Sequence, residues 1–176
     1  MRASNLLRFP GFLLAAAALT VVTAWHSPTV AFADPPLSLP PNFQAQPVFQ
    51  GLVAPMGIAF SPDGRVFVAE QSGVIKVYDS LADMTPDVFA DLSTEVHGYW
   101  DRGLMDLALD PQFPTRPYIY IAYAMDAPIA GTPPVYNDAC GTAPTTEGCP
   151  IGGRIARLTA NGNAMVGGSE KVLVED

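Results

Sequence analysis

The chain has 176 residues, and its 17 Asp and Glu against 9 Lys and Arg give a formal net charge of −8. This acidic balance argues against binding to nucleic acid or to an anionic membrane surface, since both need clustered positive charge. The length suits one ordinary domain, and 18 prolines with 15 glycines indicate many turns rather than disorder.

The first 33 residues have the pattern of a signal peptide. Arg2 and Arg8 give a positive start, an apolar run covers residues 12–22, and residues 31–33 read Ala-Phe-Ala, which is a small-x-small cleavage site. An uncleaved membrane anchor is the alternative, although the apolar run is short for a membrane span. We therefore expect a secreted or periplasmic protein whose mature chain starts at Asp34 and has no membrane span.

After a lead-in over residues 34–48, the chain consists of short runs of β-branched and aromatic residues separated by turn residues. The first four runs are joined by tight turns such as Ser-Pro-Asp-Gly at 61–64, so they predict a four-stranded antiparallel meander. The predicted strands are Gly57–Phe60, Arg65–Ala69, Val74–Tyr78 and Val88–Leu92.

The same order of runs recurs in the second half of the chain. Leu104–Leu109 repeats the first run, Tyr118–Tyr123 repeats the second, and the segments that begin at Gly153 and Val172 repeat the third and fourth. Between the second and third runs lies an insert from Asp126 to Gly152. Such inserts map to loops on one face of a repeat array.

A repeated four-stranded unit of roughly 45–50 residues is typical of a β-propeller blade. The fold class predicted is therefore all-β, a partial β-propeller with blade one over about 49–92 and blade two over about 101–176; a single β-sandwich with accidental internal likeness is the alternative. Two blades leave two blade faces without partners. We therefore expect the chain to be an N-terminal piece of a longer protein or a truncated product.

Two cysteines, Cys140 and Cys149, lie in the insert. An exported chain meets oxidising conditions, so we expect a disulfide between them. A metal site would need four ligands, and this part of the sequence offers no histidine to complete one. No metal site is therefore expected here.

Three segments carry a more specific signal: APMGIAFSPDGRVFVAEQSGVIKVYD, WDRGLMDLALDPQFPTRPYIYIAYAMDA and GGRIARLTANGNAM. From about Phe49 to the end, the chain resembles the opening of the soluble PQQ-dependent glucose/sorbosone dehydrogenase family. The resemblance implies a six-bladed propeller that holds pyrroloquinoline quinone (PQQ) and calcium over its central channel. It also implies oxidation of a sugar C1 hydroxyl, with hydride passing to the quinone and electrons passing on to an acceptor.

The resemblance further implies that the catalytic histidine and most cofactor ligands belong to later blades. We therefore expect no catalytic residue in this chain, weak binding of PQQ and calcium, and no activity of the chain alone. A propeller that serves only as a binding scaffold for a glycan or a protein is the alternative function, because a fold does not dictate chemistry. A histidine motif at the start of a third blade would favour the enzyme, and its absence would favour the scaffold.

Asp101 and Arg102 are the candidate sugar-binding residues. In the family, an acid or amide stands at the position of Asp101, two residues before the Gly-Leu strand and at the mouth of the channel, although there it is Gln or Glu. A carboxylate there suits hydrogen bonds from sugar hydroxyls. Alternatively, Asp101 and Arg102 order the loop or pair with each other.

Four further residues attract notice near these turns. His97 is the only histidine of the expected mature chain, and we expect a surface-loop histidine because its position does not match the family's catalytic base. Tyr99 and Trp100 suit either a stacking face for a sugar ring or packing between blades. Glu70 is expected to be a structural hydrogen-bonder in its turn. Neither a Gly-rich phosphate loop nor a GxSxG or HExxH motif occurs, so hydrolase and nucleotide-binding functions are not supported.

Overall fold

A computed structural model describes residues 38–140 and 149–176. Residues 45–176 form a compact unit that contains every strand of the described chain. In the other unit, which spans residues 1–44, residues 38–44 include a turn in which the Phe43 N–H donates to the Pro40 carbonyl at 3.1 Å. The expected signal peptide lies outside the described residues. Within the described residues, no helix is long and apolar enough to cross a membrane.

The first sheet is the predicted four-stranded meander. Its strands lie in sequence order and each pairs antiparallel with the next. The turn at 61–64 closes as predicted, because the Gly64 N–H donates to the Ser61 carbonyl at 2.9 Å. The strands are β1 (Pro55–Phe60), β2 (Val66–Glu70), β3 (Val74–Tyr78) and β4 (Asp87–Asp91).

The second sheet has five strands where four were predicted. The additional strand is β8, a two-residue strand that turns back on the end of β7 and pairs with Ala160 and Asn161. It forms around Asn-Gly-Asn at 161–163, a hairpin-turn signal that the four-strand prediction did not include. The strands are β5 (Leu104–Leu109), β6 (Tyr118–Ala124), β7 (Gly153–Asn161), β8 (Ala164–Met165) and β9 (Lys171–Glu175), of which β9 also pairs with β7.

One core lies between the two sheets. The Phe67 side chain of β2 is fully buried in it and meets the rings of Phe89 and Phe113 edge to face, at centroid distances of 5.4 and 5.7 Å. Burying each such side chain stabilises the fold by about 1.5–3 kcal/mol. Strand β1 lies beside β5, and β4 lies beside β8. Like edges of the two sheets therefore meet, as in neighbouring blades of a propeller.

Both sheets also carry apolar side chains on the face turned away from this core. Ile58 and Phe60 of β1 are 52% and 62% exposed, and Met105 and Ile155 of the second sheet are 44% exposed each. A sheet that faces solvent on one side alternates apolar and polar residues, whereas a sheet buried on both faces is apolar throughout. The sequence of both sheets therefore suits strands that are covered on both faces.

Candidate functional site

The candidate site is the loop 93–103, which enters β5. The register of the strands places this loop at the same end of the sheets as the β2–β3 turn and the insert between β6 and β7. Gln71 in the β2–β3 turn fixes the loop: its carbonyl accepts from the Leu104 N–H at 2.9 Å, and its side-chain amide donates to the Arg102 carbonyl at 2.8 Å and to the Trp100 carbonyl. In the sequence, Gln71 stands only as a residue of the Gln-Ser-Gly turn at 71–73. Its partners lie about thirty positions away, so local turn chemistry could not reveal them.

Gly103 makes this close contact between the blades feasible. Its φ of +129° lies in the region that favours glycine, and a Cβ atom at this position would overlap the carbonyl oxygen of Gln71. The glycine just before β5 is thus required both by its backbone conformation and by the neighbouring blade.

Asp101 and Trp100 form the exposed part of the loop. Within the described residues, the Asp101 carboxylate makes neither a hydrogen bond nor a salt bridge, so the alternative in which Asp101 pairs with Arg102 does not hold. The Trp100 side chain is 66% exposed, and its ring stacks on Tyr99 with 5.7 Å between centroids and 13° between planes. The loop therefore presents an aromatic face beside a free carboxylate, and Trp100 is not packed between the two described blades.

Arg102 points away from this exposed face. Its Nη1 donates to the Cys149 carbonyl at 3.1 Å and lies 3.6 Å from the Cys140 sulfur. In this arrangement Arg102 ties its loop to the insert, which agrees with the alternative in which Arg102 has an ordering role. A role for Arg102 in sugar binding stays a prediction.

The expectation that His97 lies on the surface is wrong. Its side chain is fully buried, with Nδ1 2.6 Å from an Asp126 carboxylate oxygen and Nε2 3.2 Å from the Cys140 sulfur. Val96 forms a β-bridge with Met125, and the His97 N–H donates to the Ala124 carbonyl at 2.8 Å. This short extension of the second sheet draws the histidine beneath the insert, and a one-residue bridge leaves no periodicity in the sequence to detect.

The predicted disulfide joins Cys140 and Cys149. The insert itself has no histidine, but His97 comes close in space, because nitrogen and sulfur atoms of His97, Cys140 and Cys149 lie within 4.8 Å of one another. Both sulfurs are bonded to each other, so neither is a thiolate ligand in this state. The disulfide pair was correctly predicted from the sequence. The histidine beside it, His97, belongs to a loop more than forty residues earlier in the chain.

Glu70 is confirmed as a structural hydrogen-bonder. Its buried carboxylate accepts from the Val53 N–H and from the Lys76 ammonium, each at 2.7 Å.

At the same end of the second sheet, Arg154 hydrogen-bonds Glu175 at 2.7 Å and thereby lowers the pKa of that carboxyl. Arg154 also donates to the Tyr123 hydroxyl, whose pKa burial raises above its usual value.

These pairings bear on the cofactors that the resemblance implies. PQQ is an anion that needs cationic or N–H donors, and calcium needs several free oxygen ligands. Lys76, Arg102 and Arg154, the cationic side chains near this end of the sheets, are each engaged with another group. Asp101 alone does not make a calcium site. The described residues therefore do not fit either cofactor as a complete set of ligands.

A model of the glucose/sorbosone dehydrogenase family matches residues 52–140. The chain belongs to this family. A solved structure from Thermus thermophilus, described as a putative oxidoreductase (glucose dehydrogenase), is 26% identical with a TM-score of 0.53 and covers 74% of this chain and 31% of its own. The PQQ-bound aldose sugar dehydrogenase of Streptomyces coelicolor has the same fold, at 16% identity and a TM-score of 0.54, over 74% of this chain and 33% of its own. The two sheets are therefore blades of a β-propeller, and the β-sandwich alternative fails.

Two curated proteins match a shorter part of the chain. An uncharacterized protein of Synechocystis is 28% identical over 92 residues, which are 48% of this chain and 22% of that protein. The human Hedgehog-interacting protein is 29% identical over 87 residues, which are 46% of this chain and 12% of that protein. The chain thus spans less than a quarter of these relatives and about a third of the solved structures.

Proposed function

We propose that this chain supplies two neighbouring blades of an exported sugar dehydrogenase that uses PQQ and calcium, with Asp101 and Trp100 contacting the sugar. The observation that carries the proposal is the exposed pair formed by the Trp100 ring and the Asp101 carboxylate, which has no partner within residues 38–140 and 149–176, in a chain of this family. A sugar ring has an apolar face that stacks on indole and hydroxyls that donate to a carboxylate. PQQ, when bound, would supply the redox chemistry.

The general base of this reaction is proposed to lie outside the chain. A base must reach the substrate hydroxyl within about 2.6–3.2 Å or through one water. His97 does not meet this requirement, because it is fully buried and both of its ring nitrogens face protein atoms. The apolar outer faces of both sheets support the presence of further blades, which would carry the base and most cofactor ligands.

A binding scaffold is the second candidate function. It is supported by the likeness to the Hedgehog-interacting protein, whose name describes a protein-binding role, and by the poor fit of the described residues to the cofactors. In a scaffold the Trp100–Asp101 face would bind a glycan or a protein without chemistry. The two functions differ in one measurable property, which is turnover of an aldose with an artificial electron acceptor.

The experiment compares the full chain with the product of the uninterrupted reading frame beyond the codon for Asp176. Each is given PQQ and calcium and assayed with aldoses and an artificial electron acceptor. We expect no turnover by the full chain and turnover by the longer product, in which Asp101→Asn raises KM. Asp83→Asn, in the β3–β4 loop at the other end of the sheet, is the control and should leave KM unchanged.

Three outcomes would contradict parts of this proposal. Turnover by a monodisperse full chain would place the base within these residues. A silent longer product that fails to bind PQQ would favour the scaffold. An unchanged KM in the Asp101→Asn variant would remove Asp101 from the site.

Export is part of the same proposal and has its own test. Mass spectrometry of secreted material is expected to find an N-terminus at Asp34, because the small-x-small pattern ends at Ala33. An intact Met1 in a membrane fraction would contradict it and favour the uncleaved anchor.

A further inference from the structure

The Cys140–Cys149 disulfide lies against the buried side chain of His97. One ring nitrogen of His97 faces the disulfide, and the other contacts a carboxylate. His97 is fully buried, and its Nδ1 lies 2.6 Å from Asp126 Oδ1. The other oxygen of this carboxylate accepts from the N–H groups of Tyr136 and Asn137 at 3.2 and 2.9 Å. An ionised carboxylate only accepts hydrogen bonds, so Nδ1 is the nitrogen that carries the proton.

The second nitrogen of the ring faces sulfur. Nε2 of His97 lies 3.2 Å from the Cys140 Sγ, and a disulfide sulfur has no proton to donate. In a neutral ring with its proton on Nδ1, Nε2 is thus a buried acceptor that faces no donor among the described residues, and burial without a donor carries a desolvation cost. Opening the disulfide removes this cost, because a Cys140 thiol donates to Nε2 or passes its proton to it. A cysteine sulfur beside an imidazole, with a carboxylate behind the ring, is the arrangement that activates cysteine in Cys–His sites.

A second positive group stands at the same sulfur. The Arg102 Nη1 is 3.6 Å from the Cys140 Sγ and is held there by its hydrogen bond to the Cys149 carbonyl at 3.1 Å. The Cys149 sulfur has the opposite surroundings, since the Ala139 carbonyl oxygen lies 3.5 Å from it. Negative charge is therefore favoured on Cys140 and disfavoured on Cys149. The two halves of the disulfide are chemically unequal.

The geometry points to a thiol-exchange site at this disulfide, at which a low-molecular-weight thiol attacks the Cys149 sulfur and Cys140 leaves as a thiolate held by His97 and Arg102. The incoming thiolate forms a bond to the Cys149 Sγ, and the electron pair of the broken Cys140–Cys149 bond stays on Cys140. A second thiol then attacks the mixed disulfide, which frees Cys149 and yields the oxidised form of the small thiol. Two thiols are oxidised and one disulfide is reduced.

The cluster of His97, Cys140 and Cys149 suits a Cys140 thiolate better than it suits a bound metal ion. The Arg102 guanidinium faces the same sulfur that a metal ion would need, and like charges at that distance repel. Asp138, which is also near His97, is engaged by the Gly98 N–H at 2.6 Å. Among the residues that the structure describes, the charged and titratable groups around the Cys140 sulfur, directly or through His97, are Arg102, Asp126, Asp138, Tyr99 and Tyr136.

The test is the position of the mixed disulfide. The full chain is treated briefly with reduced glutathione, free thiols are trapped with N-ethylmaleimide, and peptides are mapped by mass spectrometry. We expect glutathione on Cys149 and maleimide on Cys140, in excess over the reverse by about tenfold, because the better-stabilised thiolate leaves faster. Arg102→Gln should move this ratio toward parity. Arg116→Gln, which removes an exposed arginine on the β5–β6 loop, should leave it unchanged.

Equal labelling of the two cysteines in the wild-type chain, or an excess of glutathione on Cys140, would overturn the proposal. So would a ratio that Arg102→Gln does not alter. A second measurement uses the two single-thiol variants. The rate of alkylation should persist to lower pH for Cys140 in Cys149→Ser than for Cys149 in Cys140→Ser, and superimposable pH profiles would also overturn it.

Discussion

The Gln71 side-chain amide donates to the main-chain carbonyl of Arg102 across the boundary between the two blades, at 2.8 Å. Gln71 belongs to the first sheet and Arg102 to the loop that enters the second, so one blade sets the shape of the candidate site on the other. Gln71→Glu replaces the donor with an oxygen that faces the Arg102 and Trp100 carbonyls. We expect the free energy of unfolding to fall by about 1–3 kcal/mol, because both carbonyls lose their donor.

Urea denaturation measures this change. The exposed Gln112 offers a matched control, and Gln112→Glu should shift the midpoint little. A Gln71→Glu protein as stable as the wild type would show that the two hydrogen bonds donated by the Gln71 side chain do not stabilise the fold.

A comparison of Gly103 with Gly64 distinguishes two reasons for glycine at a position, which are a positive φ and a close neighbouring atom. Both have positive φ, +129° and +96°, but a Cβ at Gly103 would overlap the Gln71 carbonyl, whereas nothing lies within 4 Å of a Cβ at Gly64. Gly64→Ala should cost only the backbone strain, about 1–2 kcal/mol, and Gly103→Ala should cost more, because strain and overlap add. Equal losses of unfolding free energy in the two variants would refute the role assigned to the blade contact.

The Asp63–Arg65 pair gives the fold part of its acid sensitivity. The Arg65 guanidinium hydrogen-bonds Asp63 at 2.7 Å and lowers the pKa of that carboxyl from 3.8 to about 2. Because the folded-state pKa is the lower one, this stabilisation is present above about pH 4 and is lost as the pH falls toward 2. The pair is partly exposed and screened by solvent, so its contribution at pH 7 is below about 1 kcal/mol.

In Asp63→Asn, the unfolding free energy should therefore depend less steeply on pH between 4 and 2 than in the wild type. Chemical denaturation at a series of pH values measures the two slopes. Wild-type and variant slopes that coincide would exclude Asp63 as a contributor.

Much of the fold was predictable because its signals are local. β1 and β2 are specified by their own alternating apolar residues and by the short Ser-Pro-Asp-Gly turn that joins them. The predicted bounds of these two strands agree with the observed bounds within two residues. The site was less predictable because its contacts are long-range. Asp101 was identified from its position in a family motif, but the burial of His97 depends on Asp126 and Cys140, which lie 29 and 43 positions away. Pairings of this kind leave no periodic pattern in one sequence.

The β7–β8 hairpin, which was not predicted from the sequence, contacts the first blade through its turn. Asn163 in its turn donates through Nδ2 to Asp79 at 2.8 Å and to Asp87 at 2.9 Å, so one amide bridges two carboxylates of the first sheet. Asn163→Asp places a third carboxylate between them and removes the donor, while it keeps the oxygen that accepts from Arg65 Nη1 at 3.3 Å. We expect a loss of about 1–2 kcal/mol in unfolding free energy at low salt, because like charges at hydrogen-bond distance repel and two acceptors lose their donor.

The salt dependence of the unfolding free energy separates charge repulsion from the loss of the hydrogen-bond donor. Screening should restore part of the loss in Asn163→Asp at high ionic strength, where the Debye length falls to about 3 Å at 1 M salt. Asn163→Ala, which removes the donor without adding charge, is the matched control and should lose less stability, with little dependence on salt. If Asn163→Asp and Asn163→Ala lose the same free energy at every ionic strength, the three carboxylates do not meet, and the outer edges of the two blades are not joined through this turn.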